Sequence, residues 1–151
     1  MELTSKTFTA NGLIPAPYTC DGQDTSPSLL WENIPTETRS LALIVDDPDA
    51  PNYTFVHWVV YDIPTQIRQL PEGLSTQKEK LSGGGTQGTN DFGNLGYGGP
   101  CPPNGTHRYF FKLYALDRVL GLNSGATKAQ LQAAMSGHVL EATELVGRYG
   151  R

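Results

Sequence analysis

Residues Leu41-Ala42-Leu43-Ile44-Val45 form a continuous apolar run that gives way at once to Asp46-Asp47-Pro48-Asp49-Ala50-Pro51. A short run of this kind, closed by turn residues, reads as a buried strand. Three carboxylates leave the end of that strand within four residues. Pro48 and Pro51 each fix their own φ and restrict the residue before them, so the corner is stiff and does not continue as a helix. Asp and Pro also build ordinary solvated turns. A rigid backbone carrying clustered carboxylates at a strand end is, in addition, how a scaffold holds a site in place.

A chain of 151 residues can bury about 70% of its unfolded surface as one domain, residues 1–151, with no disulfide or metal required. Hydrophobic residues make up 38%, and 17 Gly and 11 Pro punctuate the chain, which favours a mainly β fold over a helix bundle. The formal charge of -4 comes without any Lys/Arg cluster, so a surface that tracks nucleic-acid phosphates is excluded. Met1-Glu2-Leu3-Thr4-Ser5 has neither a basic nor an apolar leader, and no run is long enough to span a membrane. The expectation is a cytoplasmic protein with no integral membrane association. The two cysteines, Cys20 and Cys101, share no CxxC spacing, which argues against structural zinc. In a reducing cytosol they are expected as free thiols. Both lie among turn residues, and a meeting in space stays open.

The loose alternation of Leu3 to Thr9 predicts a first strand, and Ser28 to Trp31 a second. Ser40 to Asp46 is the central strand. Phe55-Val56-His57-Trp58-Val59-Val60-Tyr61-Asp62-Ile63 is strongly β-forming and stops at Pro64. The stretch from Pro64 to Ser82 reads as polar and irregular. From Gly83 to Gly105, nine of 23 residues are glycine, yet Asp91, Phe92, Leu95, Tyr97 and three prolines are interspersed. A flexible linker would not use those, so an ordered loop with close backbone approach is expected. No Gly-Lys-Ser/Thr closes it, which excludes a P-loop. Thr106 to Asp117 is the longest strand. Thr127 and Gln130 form a capping box ahead of Leu131, Ala134 and Met135, and Gly137 ends that helix, placing one near 127–137. Leu140 to Tyr149 is expected as a last strand.

The polar residues that could act together are Asp47, Asp49, His57 and His107, with Tyr97 and Tyr109. Each also has a structural reading: a histidine beside a strand is commonly a satisfied scaffold residue, and a strand tyrosine is commonly core. Three segments decide between the readings. They are Asp47-Pro48-Asp49-Ala50-Pro51, then His57-Trp58-Val59-Val60, then Gly98-Gly99-Pro100-Cys101-Pro102-Pro103-Asn104-Gly105-Thr106-His107-Arg108-Tyr109. In that order they resemble the phosphatidylethanolamine-binding protein family, in its bacterial and archaeal branch of Raf kinase inhibitor-like proteins. Tyr18-Thr19-Cys20-Asp21-Gly22, Ser26-Pro27-Ser28-Leu29-Leu30-Trp31 and Glu144-Leu145-Val146-Gly147-Arg148-Tyr149 extend the resemblance over essentially the whole chain.

The resemblance implies two antiparallel sheets, a few short helices and a small anion pocket. It assigns Asp47 and Asp49 as pocket acids, His57 as the histidine opening the next strand, Gly99 and Pro100 as a wall, and His107 and Tyr109 as the His-Arg-Tyr pair. It also implies a cis peptide, with Ala50-Pro51 as the candidate. The shorter Pro103–His107 spacing, and an end at Arg151 without the covering helix of animal members, imply a different pocket rim. The chemistry is coherent. His57, His107 and glycine amides near Gly99 would donate to an oxyanion. An Asp would fix a histidine's tautomer or favour its imidazolium, or would meet the ammonium of an ethanolamine head group.

The function expected is a non-enzymatic regulator that binds a small phosphorylated or anionic ligand, with no cofactor. A kinase, a serine protease or a second copy of the chain are the candidate protein partners. Two alternatives carry weight: a metal-dependent hydrolase using the Asp/His cluster, and a thiol enzyme using Cys20 or Cys101. No Gly-x-Ser-x-Gly elbow is present, which excludes the common serine-hydrolase arrangement.

Overall fold

The computed structural model describes residues 1–151. In chain order the elements are β1 (Glu2–Thr4), a 3-10 turn (Ala16–Tyr18), β2 (Leu29–Glu32), β3 (Ser40–Asp47), β4 (Phe55–Ile63), β5 (Gln69–Leu70), β6 (Thr86–Gln87), β7 (Thr106–Leu116), α1 (Lys128–Met135) and β8 (Val139–Gly150). They form two antiparallel sheets, one ordered β1-β2-β5 and the other β6-β4-β3-β7-β8. The mainly β architecture with one short helix is therefore as the sequence implies.

Strand β3 lies inside the larger sheet and is buried along its whole length. Its side chains alternate strictly. Leu41, Leu43 and Val45 join Leu29, Trp31, Trp58, Phe111 and Leu113 in the core between the sheets. Ala42 and Ile44 face the other way, into a smaller core with Tyr61, Leu116, Leu131 and Met135. A strand covered on both faces has no use for a polar face, which is why the run reads as continuously apolar. Helix α1 covers the second face. Its capping box forms in full: Thr127 Oγ1 accepts from the Gln130 amide, and Gln130 Oε1 accepts from the Thr127 amide.

Differences from the sequence reading have local causes. Strand β1 ends at Thr4 rather than Thr9, because Ser5 Oγ takes the Thr7 amide and replaces the sheet ladder there. Within the polar stretch after Pro64, Gln69 and Leu70 add a third strand to the smaller sheet, too short to show a period. Every peptide bond is trans, so the cis Ala50-Pro51 bond is not formed. The chain reverses at Asn52 instead, with φ 76, a conformation that Asn tolerates better than most residues.

Cys20 and Cys101 form a disulfide across 81 residues, with Cα atoms 5.4 Å apart, which corrects the expectation of free thiols. Backbone bonding between the two turns brings them together: the Cys20 amide donates to the Pro100 carbonyl at 3.1 Å, and Tyr97 Oη donates to the Tyr18 carbonyl at 2.6 Å. With both thiols consumed, the thiol-enzyme alternative has no nucleophile. The unreduced, denatured protein is expected to be inert to a thiol reagent. After reduction it should titrate two thiols and lose about 2–4 kcal/mol of stability. Titration of both thiols before reduction would rule the bond out.

Candidate functional site

Strands β3, β4 and β7 end together at one edge of the sandwich, and a cleft of ≈ 190 Å³ opens there. Asp47, His57, His107 and Tyr109 supply its polar groups, while Ala50, Pro51, Phe55, Phe92, Cys101, Pro102 and Pro103 supply the walls. Pockets for drug-sized ligands run to roughly 300–1,000 Å³, so this one suits a small head group.

Simple alternation delivers two of these residues. On β7, His107, Tyr109, Phe111 and Leu113 share the inner face, and the last two anchor it in the main core. On β3, Asp47 continues the inward series Leu41, Leu43, Val45. Asp47 Oδ2 and His107 Nδ1 are 2.7 Å apart, and Asp47 Oδ1 accepts the Asp49 amide at 2.8 Å. Each carboxylate oxygen thus has a partner. The carboxylate holds the imidazole with Nδ1 toward itself and leaves Nε2 for the cleft.

His57 arrives by a different route. The β3–β4 register steps from Val45↔Trp58 to Asp46↔Val56, so His57 is an extra residue on β4. This β-bulge breaks the alternation. Trp58 and Val60 face the main core, Val56, Val59 and Tyr61 face the helix side, and His57 turns to the cleft. Gly98 clamps the bulge from both sides: its amide donates to the His57 carbonyl at 2.9 Å, and its carbonyl accepts from His57 Nδ1 at 2.7 Å. A Cβ on Gly98 would lie 2.4 Å from the Phe92 ring, so only glycine allows this clamp and that wall together.

The charge states follow from the surroundings. Burial pushes the His57 pKa down, and the Gly98 carbonyl and the Asp47 and Asp24 carboxylates offset this only in part. Burial, with the nearby Asp47 and Asp49 carboxylates, pushes the Tyr109 phenol up, so it keeps its proton. Its enclosed oxygen lies beside the Cys101 backbone, which offsets that rise in part, and its proton has no acceptor in the protein.

A family model for phosphatidylethanolamine-binding protein matches residues 4–150. The chain belongs to the phosphatidylethanolamine-binding protein family. The UPF0098 protein of Methanothermobacter thermautotrophicus is 51% identical over 151 residues, covering 100% of this chain and 99% of that protein. Among solved structures, a phosphatidylethanolamine-binding protein homolog from Chlamydia trachomatis superposes with a TM-score of 0.90 at 41% identity, covering 99% of this chain and 96% of that one. Escherichia coli YBCL gives a TM-score of 0.92 at 33% identity, covering 99% and 98%. Membership in the phosphatidylethanolamine-binding family supports a ligand-binding regulatory role at the level of the family.

Against the assignments that the family resemblance carried, the cleft gathers Asp47, His57, His107 and Tyr109 and leaves out three others. Asp49 points away and pairs with Arg108, accepting from its amide, Nε and Nη2 at 2.9, 2.8 and 2.8 Å. Pro100 is buried behind the wall rather than in it, and Cys101, Pro102 and Pro103 take its place. The Gly99 amide is spent on Asp24 Oδ1 at 2.9 Å, so it cannot serve a ligand. Asp47 already has one partner on each oxygen and Asp49 is tied to Arg108, so an ammonium group would have to share them. No three His, Cys, Asp or Glu side chains converge as metal ligands would. Tyr97 packs against Trp58 in the core instead of facing the cleft. Sequence reasoning missed Phe55 and Phe92 as walls. Phe55 had a usable signal, lying two residues before His57, whereas Phe92 reaches the site through a long loop.

Arg108 holds the Asp49 carboxyl at about 2, below its ordinary 3.8. A carboxylate depressed in the folded state contributes stability above about pH 4 that is lost as pH falls toward 2. Both partners are partly exposed, so solvent screening limits the contribution to about 1 kcal/mol or less. Asp49→Asn is expected to flatten that segment of the acid-stability profile and to change neutral stability little. Superimposable profiles for the two proteins would show the pair to be inconsequential.

Proposed function

We propose that this protein is a non-catalytic binder of phosphate-bearing ligands, whose pocket accepts a small oxyanion and whose occupancy regulates a protein partner. The observation that carries the reading is the Tyr109 hydroxyl. Its oxygen is enclosed at the cleft beside the Cys101 backbone, with no acceptor for its proton, next to two histidines whose Nδ1 atoms are already committed. Leaving a buried polar group unpaired costs about 1–3 kcal/mol. An oxyanion would relieve that cost, accepting from Tyr109 Oη and from His107 Nε2 when that ring is protonated. The apolar walls of Phe55, Phe92, Pro102 and Pro103 would exclude water and strengthen both bonds.

A kinase or a serine protease is the class of partner proposed for regulation. The proposed location is the cytoplasm, where the Cys20–Cys101 bond would have to resist cellular thiols. A metal-dependent hydrolase is disfavoured, since Asp49 is turned to Arg108 and no three His, Cys, Asp or Glu side chains converge.

The test is calorimetric titration with inorganic phosphate. His107→Ala and Tyr109→Phe are each expected to weaken binding at least about tenfold, roughly the effect of one charge-assisted hydrogen bond. Unchanged affinity in both variants would remove these residues from any anion site.

A further inference from the structure

The Cys20–Cys101 bond stands at the rim of the cleft, and both of its residues are exposed. Cys101 lines the cleft itself, while Cys20 lines a neighbouring cavity of ≈ 530 Å³. Arg151 reaches both sulfurs, with Nη2 3.3 Å from Cys20 Sγ and 3.9 Å from Cys101 Sγ. Asp21 accepts from the same guanidinium and holds it there. A bond that serves only as a staple gains nothing from a cation beside it. A thiolate does gain, because a neighbouring guanidinium stabilises the charged sulfur. Exposed disulfides are also the ones that exchange with thiols most readily.

What the bond holds is narrow. The loop up to Pro100 has other anchors: the Cys20 amide on the Pro100 carbonyl at 3.1 Å, Tyr97 Oη on the Tyr18 carbonyl at 2.6 Å, and the Gly99 amide on Asp24 Oδ1 at 2.9 Å. Strand β7 fixes the chain again from Thr106. From Cys101 to Gly105 the one backbone hydrogen bond runs from the Arg151 amide to the Gly105 carbonyl, at 3.3 Å. Pro102 and Pro103 have no amide hydrogen to give. Yet Cys101, Pro102 and Pro103 wall the cleft, and the Cys101 backbone lies beside the Tyr109 oxygen. The disulfide is the tether of this wall.

We propose that Cys20–Cys101 is a reversible thiol–disulfide exchange site, opened by a dithiol reductant, whose state sets whether the Cys101–Pro103 wall is held against the cleft. One thiolate of the reductant attacks Cys101 Sγ. The S–S bond breaks, a mixed disulfide forms, and Cys20, whose sulfur is the nearer to Arg151, leaves as a thiolate. The second thiolate of the reductant attacks the mixed disulfide, frees Cys101 and closes the reductant's own disulfide. Two electrons pass to the cysteines, and the two protons given up by the reductant balance the two they take. A monothiol stops at the mixed disulfide. Cys20, kept alongside by its amide bond to Pro100, then re-forms the original bond. The site thus resists monothiols and yields to dithiols, whatever the cleft binds.

The experiment treats the native, intact protein with dithiothreitol and follows the thiols released over time. The rate is expected to rise in proportion to dithiothreitol and to ignore urea added below the unfolding transition. Arg151→Ala should slow it at least about threefold, the effect of raising the leaving thiol's pKa by about one unit, and Arg151→Lys should recover most of the loss. A rate that levels off with dithiothreitol and climbs with urea would overturn the proposal, since the bond would then open only through unfolding. Reduction of Arg151→Ala at the wild-type rate would overturn the role of the guanidinium. Ring-proton NMR of the three histidines reads the wall. His57 and His107 face the cleft, whereas His138 pairs with Asp117 beyond the other end of β7, roughly 30 Å from His107 along the strand. Reduction should move the His57 and His107 signals and leave that of His138 in place. Unmoved cleft signals, or movement of all three, would overturn the wall's dependence on the bond.

Discussion

Two neighbouring carboxylates at the end of one buried strand set the terms for the rest of this molecule. Asp46 and Asp47 are 0% and 3% exposed, and the strand sends them to opposite faces of the sheet. A buried charge is tolerated only with partners. Asp46 has Lys128 Nζ at 2.8 Å and Lys112 Nζ at 3.3 Å, tying helix α1 and strand β7 to β3 on the helix side. Asp47 takes His107 on the sandwich side. The same alternation that buries Leu43 and Ile44 on separate cores thus divides two acids between a scaffold contact and a functional cleft.

Around Asp47 the cleft is assembled by devices that hold backbone in place. The bulge at His57 rotates one side chain out of the period of its strand, and Gly98 fixes that residue by its amide and its carbonyl together. The loop carrying Gly98 is anchored in turn by Tyr97 to the Tyr18 carbonyl, by the Gly99 amide to Asp24, and by the Cys20–Cys101 bond. Asp24 itself adopts φ 61, an uncommon conformation held by its surroundings. These contacts make the wall beside His57 a rigid extension of the sheet. A site whose donors stand on strands and whose walls are pinned by several independent contacts is preorganised for a small ligand.

Much of this was legible in the sequence wherever a period or a local rule applied. The β-forming run from Thr106 located β7, the capping box located α1, and the apolar run located β3, while the family motif singled out His107 and Tyr109. His57 was found as a residue, but its face was not. The strict alternation of β4 would have set it with Val59 and Tyr61 on the helix side, and only the bulge reverses this. Asp49 looked equivalent to Asp47 by motif. The turn after Pro48 aims it outward, where the Arg108 fork matches its carboxylate geometry. The disulfide and the Phe92 wall escaped because each depends on how two long loops dock, and no local pattern encodes that. The family resemblance assigns Gly99 and Pro100 to the cleft wall. Their backbone is instead consumed by the loop that packs behind it.

The central claim is that His57, His107 and Tyr109 converge on one anion. A crystal structure of the protein soaked in phosphate tests this most directly. The account predicts an oxyanion within hydrogen-bonding distance of Tyr109 Oη and of both imidazole Nε2 atoms, with Asp47 still joined to His107. Phosphate bound elsewhere, with the Tyr109 hydroxyl still unpartnered, would contradict it.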